Sequence, residues 1–140
     1  MAEEVRLTGG CGCGAVRYTL TSAPLTVAAC HCTQCRRQSG AAFSVNLIVR
    51  ASALSVEGDL ASWEDADTES GTPISRDHCG RCGAQIRSVP TAAPKLIALK
   101  AGSLDDPSAF APLMHIWAQS KLPWVAIPED VPTFARGPQA

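Results

Sequence analysis

Cys30, Cys32 and Cys35 crowd three thiols into the stretch ACHCTQC, and Arg36 and Arg37 follow directly. Thiols at this spacing hold a soft metal, exchange disulfides or act as nucleophiles, and only the thiolate form does any of these. Four further cysteines form two short pairs, Cys11 and Cys13 in GGCGCG and Cys79 and Cys82 in CGRCGA. Zinc takes four thiolates tetrahedrally at about 2.3 Å, and two short chelating turns brought together from distant sequence are the usual way to build such a site. Cys11, Cys13, Cys79 and Cys82 are therefore expected to enclose one structural zinc. Gly12, Gly14, Gly80 and Gly83 stand where a metal knuckle needs a backbone that curls back toward sulfur.

Seven cysteines, less these four, leave Cys30, Cys32 and Cys35. Three protein ligands with an exchangeable fourth position is the ligand count of a catalytic zinc. Two other readings stay open on the residues alone. Cys32 and Cys35 form a C-x-x-C and could be a redox pair, although no long helix follows a buried strand there. Alternatively His31, His78 or an acid completes a second structural site, with His31 disfavoured because neighbours in an extended turn point apart. Arg36 and Arg37 offer planar forks suited to a carboxylate, as substrate anchors, or else merely offset thiolate charge.

These residues must be positioned by strands. EVRLTGG and AVRYTLT alternate with a period of two, LTVAAC runs into Cys30, and TQCRRQSG fits a helical turn ended by Gly40. FSVNLIV, ALSVEG, LASW, PISRDHC, AQIRSV, KLIALKAGSL and PLMHIWA are short, apolar and bounded by turn residues. The pattern predicts an all-β fold, a small sandwich or barrel, and the 140 residues suit one domain spanning 1–140. The acidic stretch from Glu64 to Pro73 reads as a solvated loop. The proline-rich tail reads as a strap anchored by Trp124, Ile127 and Phe134. His115 is expected to pack or satisfy a backbone group, and Trp63, Trp117 and Trp124 to cover core or edges.

Composition narrows the function classes. Apolar residues are 46% and charged residues 18% of the chain, with no apolar run near the roughly 18 residues of a membrane span. A net charge of -1 supplies no global attraction to nucleic acid or anionic lipid. The start, MAEEVRLTGG, carries acids where a secretory signal would be basic. A cytoplasmic, reducing setting is therefore expected, which disfavours disulfides as the purpose of so many thiols.

GGCGCGAVRY, CHCTQCRRQSGAAF, RDHCGRCG and HIWAQSKLPW occur in an order and spacing that resembles the glutathione-dependent formaldehyde-activating enzyme family, which includes centromere protein V. The resemblance covers about 7–124. It implies a β-tent fold with two zinc ions per chain, a structural one on Cys11, Cys13, Cys79 and Cys82 and a reactive one on Cys30, Cys32 and Cys35. It also implies a carbon-sulfur lyase acting on a small thiol such as glutathione and an aldehyde such as formaldehyde. Arg76 matches the arginine ahead of the last cysteine pair, whereas His78 stands where an aromatic is usual. A second class, a non-catalytic zinc module working through a protein or nucleic-acid partner, is compatible with the same motifs, because fold does not fix function.

Overall fold

The computed structural model describes residues 5–137. Ten strands and one short helix follow in order: β1 (Leu7–Gly10), β2 (Arg17–Leu20), β3 (Thr26–Cys30), α1 (Thr33–Ser39), β4 (Ser44–Arg50), β5 (Leu54–Glu57), β6 (Leu60–Asp65), β7 (Ile74–Cys79), β8 (Gln85–Pro90), β9 (Leu96–Lys100) and β10 (Met114–Ile116). Every segment read as a strand contains one. The first of them begins at Leu7, and Glu4, with which that segment was expected to open, lies outside the described residues. Among the described residues no helix is long and apolar enough to cross a membrane.

Two sheets form. β1, β2 and β5 make a three-stranded antiparallel sheet, and the other seven strands pair in the order β10-β3-β4-β9-β8-β7-β6. All pairs in the larger sheet are antiparallel except β10 with β3. A strand sends alternate side chains to opposite faces, and here the two faces of the large sheet have different tasks. Val27, Leu47, Val49, Ile86, Ile97 and Leu99 pack with Val16, Tyr18 and Leu20 in one apolar cluster, which also holds Cys79. Leu20, Leu47, Ile86 and Leu99 are wholly or almost wholly withdrawn from solvent.

The intervening residues of the same strands form a second, more polar face. Pairing sets Arg76 beside Ser88, Ser88 beside Ala98, and Ala98 beside Ile48. In the adjoining row Lys100 lies opposite Asn46, Asn46 opposite Ala28, and Ala28 opposite Met114; beyond it Ser44 faces Cys30 and Cys30 faces Ile116. Period-two alternation therefore delivers a cation, an amide, a hydroxyl and a thiol to one surface from strands far apart in sequence.

The tail is extended and docks as a strap. Thr133 bridges to His115, and the amides of Trp117, Ala118 and Gln119 donate to the carbonyls of Arg136, Phe134 and Ala135. Ile127 and Phe134 are half-buried as expected, but the buried anchor is Val125, just ahead of Ile127, while Trp124 is 73% exposed. Trp124 sits in the turn that the Val125 amide closes on the Leu122 carbonyl at 3.1 Å, which leaves its ring outside while Val125 turns in.

The two-faced reading predicts contrasting effects from neighbours on β4. Leu47→Ala should destabilise by about 2–5 kcal/mol in a denaturant titration, the range for a buried leucine in a closed core. Ile48→Ala, on the opposite face, should cost clearly less, since Ile48 lines open space rather than packed core.

Candidate functional site

The two cysteine sets assemble separately. The sulfurs of Cys11, Cys13, Cys79 and Cys82 lie within 4.8 Å of one another, and so do those of Cys30, Cys32 and Cys35. In the first set Cys11 and Cys13 are 3.6 Å apart and Cys13 and Cys79 3.8 Å. A regular tetrahedron with about 2.3 Å metal–sulfur bonds needs about 3.8 Å between sulfurs, so these side chains fit zinc. Backbone N–H groups point at the sulfurs: Val16 donates to Cys11 at 3.2 Å, and Arg81 and Cys82 donate to Cys79 at 3.3 and 3.4 Å. Of the four expected glycines, the two that follow a completed pair, Gly14 and Gly83, take left-handed φ values of 81° and 79°. An L side chain there would be strained, which is why glycine closes each knuckle.

The second set is built where β3 ends and α1 begins. Cys30 is the last residue of β3, buried opposite Ser44. Cys32 is the N-cap of α1, its sulfur accepting the Cys35 amide hydrogen at 3.1 Å, and Cys35 lies one turn in. A chain that leaves a strand and caps a helix within two residues returns its third thiol to the first, and the Cys35 and Cys30 sulfurs meet at 3.3 Å. Gly40, left-handed at φ 69°, ends the helix as the sequence suggests.

All three cysteines line a partly enclosed cavity of about 270 Å³. Its floor is the polar face of the large sheet, with Asn46, Arg76, Ser88 and Lys100; its apolar walls include Ile48, Ile74, Ile116 and Trp117. Trp117 holds a left-handed backbone, φ 56°, the only described non-glycine to do so. Such a conformation persists only where surroundings over-determine it. Here its amide donates to Arg136, its carbonyl accepts from Ser120, and the Arg136 guanidinium sits 4.9 Å from the ring centre.

The acidic stretch 64–73 does more than meet solvent. Asp65, fully buried, accepts from Arg76 Nε at 2.9 Å and from Gln34 Nε2 at 3.2 Å. Glu69 folds over the cavity, accepting from the Thr33 amide at 2.7 Å and from the Ser120 hydroxyl at 2.8 Å. Two of the four acids thus tie the loop to the start of α1 and to the C-terminal segment, because their carboxylates satisfy donors that would otherwise be buried alone.

Among the three thiols only Cys35 is held toward thiolate; Cys30 is pushed up by its contacts with Cys32 and Cys35, and Cys32 is raised as well. Cys35 is driven down to about 2 by hydrogen bonds from Cys30 and Cys32, against its own burial, with the Lys100 and Arg76 charges adding. Burial works against the Arg76 guanidinium, and Asp65 and Cys35 more than offset it. Lys100 is drawn below its ordinary value by burial, the Cys35 thiolate opposing this. No histidine nitrogen or carboxylate oxygen joins the three sulfurs within the 4.8 Å bounding that set among the described residues. His31 instead points away, stacks on His115 and shares a 2.8 Å hydrogen bond with it, its other neighbour being the tilted ring of Phe43 at 4.8 Å. Its pKa falls to about 4 through burial and then the His115 charge.

Arg36 and Arg37 follow the cysteines in sequence but line a separate groove with Leu122 and Trp124. The cations that reach the thiol cavity are Arg76 and Lys100. Asn46, Ser88 and Lys100 escaped the sequence reading. The available signal was a polar residue interrupting an apolar strand, as in SVNLIVR and LIALK.

A small two-sheet β protein carrying a closed set of four cysteines and a cavity-lining set of three is one class of metal-ready thiol protein. Comparison narrows it: residues 6–120 match the glutathione-dependent formaldehyde-activating enzyme family, and the chain belongs to that family. A Halomonas elongata protein provisionally named for that activity is 31% identical over 126 residues, covering 86% of this chain and 80% of its own length. An Emericella nidulans protein with the same provisional name is 37% identical over 76 residues, covering 54% of this chain but only 38% of its own. A Rhodobacter sphaeroides crystal structure shares the fold at TM-score 0.55 and 23% identity, over 70% of this chain and 87% of that one.

The Asp65–Arg76 pair is almost completely buried. Burial alone would raise Asp65, but hydrogen bonds from Arg76, Gln34 and the Asp67 amide hold it net below its ordinary value. A depressed folded value contributes stability that is full above the unfolded value near 4 and is lost as pH falls through the folded one. Asp65→Asn, which strands the Arg76 charge, should cost about 3–5 kcal/mol at neutral pH. The gap between variant and wild type in melting temperature should narrow below about pH 4.

Proposed function

We propose that the protein reversibly adds a small thiol, glutathione or a close relative, to an aldehyde such as formaldehyde, giving S-hydroxymethylglutathione; in reverse this is a carbon-sulfur lyase. Cys11, Cys13, Cys79 and Cys82 hold a structural zinc, and Cys30, Cys32 and Cys35 hold a reactive one. Family membership and the relatives' names support the substrates. The observation that carries the division of labour is that all three cysteines of the second set line one partly enclosed cavity.

Zinc held by three thiolates supplies a fourth position at which a visiting thiol loses its proton near neutral pH. The chain does the rest. Ile48, Ile74, Ile116 and Trp117 exclude water from the attacking sulfur, which strengthens every electrostatic contact around it. Arg76, locked by Asp65, keeps a fixed positive charge beside Cys35. Glu69 holds the loop 66–73 against α1 and the C-terminal segment, closing the cavity on that side.

Protein purified without chelator should contain two zinc ions per chain, the one at Cys30, Cys32 and Cys35 leaving first under mild chelation. Cys32→Ser should abolish acceleration of thiol addition above the uncatalysed background with little change in melting temperature, since serine is also a good N-cap for α1. Cys82→Ser, by contrast, should prevent stable folding. One tightly held zinc with an intact fold and no catalysis would instead indicate a binding module. Equal loss of folding in both variants would contradict the assignment.

A further inference from the structure

Three thiolates around a dication leave one net negative charge, so such a centre generates nucleophiles well and withdraws electrons from a carbonyl poorly. Addition to an aldehyde needs both, because negative charge develops on the aldehyde oxygen as the carbon–sulfur bond forms. Some other group has to meet that oxygen. Arg76 gives its Nε hydrogen to Asp65, whose buried carboxylate already balances its charge, and Glu69 is committed to Thr33 and Ser120. Asn46 is committed twice, its amide NH₂ donating to Ser44 at 3.0 Å and its oxygen accepting from Lys100 at 2.8 Å.

Two donors remain. Lys100 Nζ uses one of its three hydrogens on Asn46, which leaves two and fixes where they sit. Ser88 Oγ, in a residue only 6% exposed, has no partner among the described residues, although it lines the cavity. A buried hydroxyl without a partner costs about 1–3 kcal/mol, so its position on the cavity floor calls for a ligand atom. Ser88 pairs with Ala98, two residues before Lys100 on the same face. Diagonal neighbours of this kind stand about 7–8 Å apart at the backbone, and both residues line the same cavity.

We propose that Lys100 Nζ and Ser88 Oγ form the binding site for the aldehyde oxygen, with Asn46 as the residue that positions Lys100. The inference rests on the thiol-addition reading above. The incoming thiol releases its proton to water; its sulfur lone pair forms the carbon–sulfur bond while the carbonyl π pair moves onto oxygen. Lys100 then gives that oxygen a proton and regains one from water, so thiol and aldehyde combine to a hydroxymethyl thioether with nothing left over. Ser88 donates a hydrogen bond to the same oxygen throughout. A small aldehyde fits this site; a bulky one would meet Pro90 and Ala98.

The test uses the zinc-loaded full chain with Lys100→Met, Ser88→Ala and Asn46→Ala, measuring glutathione affinity by calorimetry without aldehyde, turnover with formaldehyde, and binding of formate as a planar oxygen probe. Lys100→Met should lower turnover about 100- to 1000-fold, the usual loss for one oxyanion donor, with glutathione affinity within about twofold and formate binding abolished. Ser88→Ala should lose about tenfold in turnover and weaken formate similarly. Asn46→Ala should fall between, and Asn46→Asp, which keeps the acceptor for Lys100, should recover part of the loss.

Loss of glutathione affinity in Lys100→Met with turnover of the bound thiol intact would make Lys100 a carboxylate clamp and overturn the proposal. So would unchanged turnover in Ser88→Ala and Lys100→Met together. Should Lys100→Met fail to retain zinc, Ser88→Ala carries the decision, since it removes one oxygen and no charge. If the wild type itself does not accelerate thiol addition, the functional reading fails first, and that result is distinct from either variant's behaviour.

Discussion

Buried thiolates need positive charge beside them, and the structure answers that demand with two cations of different kinds. Arg76 is held by buried Asp65 through Nε at 2.9 Å, so it serves as a positionally fixed charge on the cavity floor. Lys100 meets only an amide oxygen among the described partners, and its charge is matched by the sulfurs themselves. Taking any of these groups out of water singly would cost several kcal/mol. Together they make a compact unit that only a sheet with one polar face could present, and the remaining architecture serves to keep that face closed.

The closure is made from segments that look dispensable. The acidic stretch contributes Asp65 and Glu69, the helix contributes Thr33 and Gln34, and the C-terminal strap fixes Trp117 and Ser120. Each contact is a hydrogen bond to a carboxylate or a backbone group, so the roof depends on polar satisfaction where the core between the sheets depends on apolar area. Roof and core therefore respond differently to substitution: the roof is weakened by loss of a polar partner, the core by loss of apolar volume.

Much of this could be read from the chain because local rules dominate it. Strand positions follow from alternation, the end of α1 from Gly40, and the two cysteine sets from spacing that a tetrahedral ion dictates. What could not be read was register. Lys100, Ser88 and Asn46 are ordinary polar residues in apolar strands until pairing places them in adjoining rows with Cys30 in reach. Proximity in sequence pointed to Arg36 and Arg37, yet one short helix carries them to a different groove. The acids of 64–73 likewise look solvated until their buried donors are known, and Trp124 looks like an anchor until Val125 takes the inward side.

Zinc-edge X-ray absorption on freshly isolated protein, with and without glutathione, tests the central claim most directly: one ion is enclosed and the other is open to a visiting sulfur. With four and three cysteines at the two sites, average sulfur coordination should lie between three and four without thiol and rise to about four when glutathione binds, all at about 2.3 Å. A spectrum unchanged by glutathione, or one already saturated by protein ligands, would contradict the account.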